Sequence, residues 1–202
     1  MSTNDPAENA PSGAVRTNRD RSETTRAALM DAARELFVRK GYGDTSTPEV
    51  VAAAGITRGA LYHHFADKRD LFRAVLVREM QAVADEIRAA APAGLAPLEA
   101  LLAGSDAYLQ AMAVPGRTRL LLVDGPAVLS LAEVLALDGA NAAATLAEGL
   151  AAAKAAPRGV PLVALAQLLS AAFDRAALLV DAGADINEQK AAMAWLLRRA
   201  AG

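Results

Sequence analysis

Only one stretch of this chain gathers side chains able to do recognisable chemistry. Thr57, Arg58, Gly59, Tyr62 and His63 follow one another closely, with Ser46 and Thr47 just upstream and Lys68 just downstream. They supply hydrogen-bond donors, positive charge and, at Gly59, a bare position where backbone can approach a partner. That chemistry suits a DNA duplex. An arginine can span N7 and O6 of a guanine, whereas tyrosine and lysine reach phosphate oxygens, which position a protein without specifying sequence. Base reading is therefore expected of Arg58 and His63, with Thr47 and Thr57 beside them, and phosphate contact of Tyr62 and Lys68. From a helix start Arg58 can alternatively reach only phosphate, and His64 serves equally well as a half-buried spacer.

Catalytic and metal chemistry find no comparable set. His63 and His64 are the only histidines, and cysteine is absent. Adjacent residues on a helix point about 100° apart, so the pair cannot readily share an ion. A serine triad would need its base on this same exposed helix. Gly41-Tyr42-Gly43 is an isolated glycine pair at a helix exit, not a phosphate-cradling loop. No catalytic residue, metal site or cofactor is expected, and an enzyme is disfavoured.

The elements that must position the polar cluster lie in residues 45–71. Ser46 or Thr47 can cap a first short helix with Pro48 in its first turn, and Gly55 suits its left-handed end. Thr57 caps a second helix, from Arg58 to Phe65, and Asp67 a third that runs to about Ala90. Two short helices joined by a turn holding one glycine form the helix-turn-helix pattern, whose second helix enters the major groove. Val50, Ala54, Ile56, Leu61 and Phe65 are apolar where those helices must pack. Ahead of them, Ala28, Leu29, Ala32, Ala33, Leu36 and Phe37 recur at helical spacing from Glu23 to Lys40 and complete a three-helix unit.

The run Gly55-Ile56-Thr57-Arg58-Gly59-Ala60-Leu61-Tyr62-His63-His64-Phe65, followed by Lys68 and Leu71, resembles the N-terminal domain of the TetR family of transcriptional repressors. Ala32-Ala33-Arg34-Glu35-Leu36-Phe37, Gly41-Tyr42 and Thr45-Ser46 fit that family's first helix and its exit. Val51 departs from the small residue favoured at its position, and Thr47-Pro48 departs at the helix start. Arg119 to Leu129 is similar to a stretch in one branch of the same family, which then continues with Gly and Trp where this chain has Ser130 and Leu131. The resemblance implies an all-α fold, with an N-terminal helix-turn-helix domain followed by a larger helical domain for effector binding and dimerisation. It also implies a double-stranded DNA operator and a homodimer as partners, and an activator or ligand-independent regulator of this fold is the alternative function.

Composition and length agree. The 202 residues are 53% hydrophobic, chiefly the helix formers alanine and leucine, and no segment alternates with period two. The net charge is −2, yet residues 16–78 hold twelve Arg or Lys against eight Asp or Glu. Residues 1–21 read as a polar, disordered tail whose Arg16, Arg19 and Arg21 are placed to reach DNA as a basic arm. Residues 22–82 form the DNA-binding domain, and residues 83–202 the second domain. There, helices are expected over 98–114, over 117–124 with a stop at Gly125-Pro126, over 127 to about 156 as one long helix or one broken near Asp138-Gly139, and over 162–181 and 187–200. The apolar run at residues 160–173 falls short of the ~20 residues a membrane span requires, and the protein is expected to be cytoplasmic. In this alanine-rich half the scarce large side chains Tyr108, Met112 and Phe173, with Arg117 or Asp174 as a polar group, are the candidates for a cavity holding a hydrophobic or aromatic effector. Leu162, Leu165, Leu169, Phe173, Ala176 and Leu179, with Met193, Leu196 and Leu197, are expected to form a dimer face.

Overall fold

The computed structural model describes residues 18–138, 142–155 and 159–201, and these are all-helical apart from their connections. The N-terminal unit comprises α1 (Asn18–Lys40), α2 (Thr47–Ala54) and α3 (Arg58–His64). Helix α4 (Lys68–Ala90) leads out of it, packing on α1 at one end and on α5 (Pro97–Met112) beyond. Next come α6 (Arg117–Arg119), a π-helical turn at Leu120–Asp124, α7 (Gly125–Val128) and α8 (Leu131–Asp138). Helices α9 (Ala142–Ala152), α10 (Leu162–Asp181) and α11 (Ile186–Ala201) complete the bundle. A single buried apolar cluster runs from Leu29 through Phe72, Met80 and Leu109 to Leu197, so α4 is held in one core along its length.

Helix starts follow the capping chemistry. The Ser46 hydroxyl accepts the Glu49 amide while the Glu49 carboxylate takes the Ser46 amide, a reciprocal box that opens α2. Asp67 accepts the Asp70 amide at 2.8 Å to open α4. Gly55 closes α2 at φ 66°, a left-handed position that glycine adopts without Cβ strain.

Four expectations need correction. Helix α1 begins at Asn18, not near Glu23, so residues 18–21 are helical; Arg19 and Arg21 belong to its first turns, with Arg19 paired to Glu23. Arg16 lies outside the described residues. The segment expected as one helix over 127–156 is divided. Helix α7 stops at an extended Leu129, and Ser130 starts α8 by accepting the Glu133 amide while Glu133 caps in return. The expected stop at Gly125-Pro126 is not one. The π-helical turn shifts the register so that the Gly125 amide reaches the Leu120 carbonyl, and Pro126 falls in the first turn of α7, where it needs no donor.

The fourth concerns α10. It is 20 residues long and, by length and composition, apolar enough to cross a membrane, which the interrupted run at 160–173 did not suggest. It buries Ala166, Leu169, Phe173, Ala176 and Ala177 against the bundle and carries Asp174 and Arg175 mid-helix, as a core helix does. Part of the face expected at the dimer interface therefore points inward, while Leu196 of that set stays exposed. Leu169, Phe173, Ala176, Met193 and Leu197 are filled by their own chain. What α10 and α11 leave uncovered is Val163, Leu168, Trp195 and Leu196.

Candidate nucleic-acid interface and interior cavity

Helix α3 stands on the surface with Leu61 turned fully inward and Tyr62 and His63 turned out. Val50 of α2 and Phe65 just after α3 meet Leu61 in the core, which fixes which side of this short helix faces solvent. Val51, too large for the expected small position, is accommodated half-buried. On the outer side Thr57, Arg58, Gly59, Tyr62 and His63 form one exposed strip, and His64 turns partly inward, where burial lowers its pKa.

Two local contacts stiffen the strip. The Arg58 guanidinium lies over the Tyr62 ring at 5.5 Å. Hydrogen bonding from Thr47 first, and from Arg58, holds the Tyr62 phenol below its ordinary pKa, which ties the start of α2 to the middle of α3. Thr57 accepts the Ala60 amide, so the hydroxyl expected at a base edge also serves as a cap, and Ser46 is likewise engaged in its box with Glu49. The exposed groups left to meet a duplex are Arg58, Tyr62, His63 and the bare Gly59.

Lys68, expected at a phosphate, is engaged within its own chain. Its ammonium donates to the carbonyls of Tyr42 at 2.8 Å, Gly43 at 3.4 Å and Thr45 at 2.9 Å, and it sits 4.2 Å over the Tyr42 ring. An ammonium has three donors, and these three carbonyls match them. The lysine thus clamps the α1–α2 turn to the start of α4. Lys68→Ala is expected to lower stability by about 1.5–3 kcal/mol, the range for hydrogen bonds to a charged group. The salt dependence of DNA binding should stay unchanged. Denaturant unfolding and a salt titration of duplex affinity measure the two separately.

The second half holds two neighbouring pockets, lobes that share part of their walls. The larger, about 330 Å³, is bounded by α4, α5, α9 and α10, with Leu101, Gly104, Tyr108, Gly149, Phe173 and Asp174 on its wall. The smaller, about 240 Å³, lies beside Met80 and Val83 of α4, with Met112, Leu121 and Leu178 opposite. Tyr108, Ala142 and Asp174 border both. The Tyr108 hydroxyl donates to Asp174 Oδ1 at 2.7 Å, and its ring meets Phe173 edge-on at 5.4 Å. Burial raises the Asp174 pKa, against which the Tyr108 hydrogen bond works.

Of the candidate cavity residues, Tyr108, Met112, Phe173 and Asp174 thus lie together, whereas Arg117 does not join them. Arg117 is buried between domains: it pairs with Glu79 at 3.0 Å and Glu86 at 2.9 Å and donates to the Ala111 carbonyl at 2.7 Å. Gly104, Gly149 and Ala142 were not legible as cavity residues. Their importance lies in missing volume, which one alanine-rich sequence does not distinguish from ordinary helix packing.

The profile described as "Bacterial regulatory proteins, tetR family" matches residues 29–75, the helices that build the exposed strip. A second, "Tetracyclin repressor-like, C-terminal domain", matches residues 98–201, the helices around the cavity. The chain belongs to the TetR family.

Within that family, the chain is 45% identical over 58 residues to the HTH-type transcriptional regulator AcrR of Shigella flexneri, which is 29% of this chain and 27% of that protein. It is 40% identical over 64 residues to the HTH-type transcriptional repressor BepR of Brucella suis, 31% of whose length is matched. The chain therefore aligns with less than a third of these relatives' length. A TetR-family transcriptional regulator from Pectobacterium atrosepticum, solved as a crystal structure, matches over 90% of this chain and 94% of its own, with 30% identity and a TM-score of 0.65. The TetR-like regulator LfrR from Mycobacterium smegmatis, solved with proflavine, shares the fold at 20% identity and a TM-score of 0.63, over 88% of this chain and 97% of its own. The protein is thus a TetR-family transcriptional regulator with a DNA-binding helix-turn-helix domain, and the family is one of DNA-binding regulators, not enzymes.

Proposed function

We propose that this regulator is a homodimeric repressor whose hold on a palindromic operator is released by a small hydrophobic or aromatic effector. The observation that carries the reading is the path of α4. Its Leu71 and Phe72 are fully buried in the DNA-binding core, and its Met80 and Val83, further along the same helix, wall the cavity. At 1.5 Å per residue the helix spans roughly 35 Å. A ligand that displaces Met80 and Val83 must therefore act on the helix that follows α3 in the chain and packs on α1, against which α3 rests.

One recognition helix covers only a few base pairs, and two related by a twofold axis read half-sites about 34–36 Å apart. The uncovered Val163, Leu168, Trp195 and Leu196 on α10 and α11 supply an apolar face for that axis. The regulator works in the cytoplasm, where its operator is. An effector acts only through its preference for one state. Binding the released state ~100-fold better gives about 2.7 kcal/mol of coupling per site.

Cavity filling tests the coupling. Ala142 borders both lobes, so Ala142→Phe should abolish release by the effector while leaving affinity for the DNA upstream of the regulator's own gene within about twofold of the parent, a change below ~0.5 kcal/mol. A mobility shift with and without effector reads both. Normal release by this variant would exclude the cavity as the effector site.

A further inference from the structure

We infer that the cavity takes an elongated lipophilic amine, whose ammonium is held by Asp174 where the two lobes meet. The inference rests on the cavity being the effector site and adds the ligand's charge and shape. Asp174 borders both lobes, so a group bound to it can send apolar substituents either way. The walls on both sides are mainly aliphatic or aromatic: Leu101, Leu146 and Phe173 in the larger lobe, Met80, Met112 and Leu121 in the smaller.

The charge balance favours a cation. Of the described lining residues, Arg88 alone is basic. It is exposed at the end of α4 and hydrogen-bonded to Asp85 at 3.0 Å. Glu148 adds a second carboxylate at the exposed edge of the larger lobe. Arg117, the buried arginine among the described residues, is committed to Glu79 and Glu86. Asp174 thus meets the neutral Tyr108 hydroxyl and no compensating cation in the lining. A buried carboxylate served only by a neutral donor is costly to keep ionised. An incoming ammonium removes that cost by a charge-assisted hydrogen bond, whereas an incoming carboxylate increases it. The Ser105, Thr145 and Ser170 hydroxyls lie among the lining residues of the larger lobe and can orient further polar atoms of the ligand.

Decylamine, decan-1-ol and decanoate share one chain length and carry positive, zero and negative charge at neutral pH. Titrated calorimetrically into the full-length protein without DNA, the amine should bind roughly tenfold more tightly than the alcohol, and decanoate most weakly. Asp174→Asn can still accept from Tyr108 and should bring amine and alcohol to equal affinity, with the alcohol unchanged. Tyr108→Phe keeps the carboxylate and should keep the preference for the amine. The inference is overturned if the amine does not bind, if alcohol or decanoate equals it, or if its advantage survives Asp174→Asn. Should the asparagine variant fail to fold, the three ligands on the parent and on Tyr108→Phe still decide. Adding the amine to a preformed DNA complex separates this inference from the one beneath it: binding that depends on Asp174 without release of DNA would support the ligand class and contradict induction through this cavity.

Discussion

Glu79→Ala should destabilise the protein by about 3–5 kcal/mol, the cost of removing one partner from a buried ion pair. Glu79 lies on α4 with its side chain 7% exposed, between Arg34 of α1 at 2.8 Å and Arg117 at 3.0 Å. Removing the carboxylate leaves Arg117, 8% exposed, with only the rim carboxylate of Glu86 and the Ala111 carbonyl. Arg34 also donates to the Pro115 carbonyl, so the same cluster fastens α1 to the turn before α6. The contact there is close: a Cβ on Gly116 would sit 2.4 Å from a Val38 methyl. Burial alone would raise the Glu79 carboxyl, but hydrogen bonds and charge from Arg34 and Arg117 outweigh it and hold the pKa below its ordinary 4.5. A depressed carboxylate stabilises the fold fully above its unfolded pKa. The contribution is then lost as pH falls through the lower folded value. Thermal unfolding of parent and variant across acidic pH should show their difference narrowing below about pH 4.5.

Leu168→Asp should raise the dissociation constant of the proposed dimer by about 30-fold or more, the scale of a 2 kcal/mol hot spot. Leu168 is 72% exposed on α10 in the single chain, where Val163 of the same helix is 69% exposed and Trp195 of α11 57% exposed. A carboxylate there is readily solvated in a monomer and stranded in an apolar interface. Leu169→Asp is the control, because Leu169 is buried within its own chain and its replacement should unfold the bundle. Sedimentation of the two variants distinguishes a folded monomer from an unfolded one. A Leu168→Asp protein that remains dimeric at nanomolar concentration would move the interface elsewhere.

The difference between these adjacent leucines marks where the sequence was legible. Apolar spacing located α10 and α11 within a residue or two, yet both are apolar on more than one side, so spacing alone did not say which side the monomer fills. In α1 and α3 the apolar stripe is narrow, and Leu61 in and Tyr62 out followed directly. Caps were equally readable, since Ser46, Thr57 and Asp67 each carry an acceptor ahead of a helix. The break at Ser130 is also a capping box, with Glu133 at its third position, but it lay inside an alanine-rich run whose propensity masked it. The candidate side chains divide the same way. Arg58, Tyr62 and His63 are exposed polar residues on a short amphipathic helix and stood out. Lys68 and Arg117 did not reveal their contacts within the chain, because their partners are backbone carbonyls of another turn and acids 38 and 31 residues away in sequence.

The account stands most directly on α3 reading a duplex. Fluorescence anisotropy should compare the parent, Arg58→Ala and Tyr62→Phe on a labelled duplex from upstream of the regulator's own gene and on a random duplex of equal length. Arg58→Ala should lose about 1–3 kcal/mol on the upstream duplex and far less on the random one, as expected for a lost base contact. Tyr62→Phe should weaken both alike, as expected for a lost phosphate contact. If the parent does not distinguish the two duplexes, or both variants bind each as the parent does, α3 is not the surface that reads DNA.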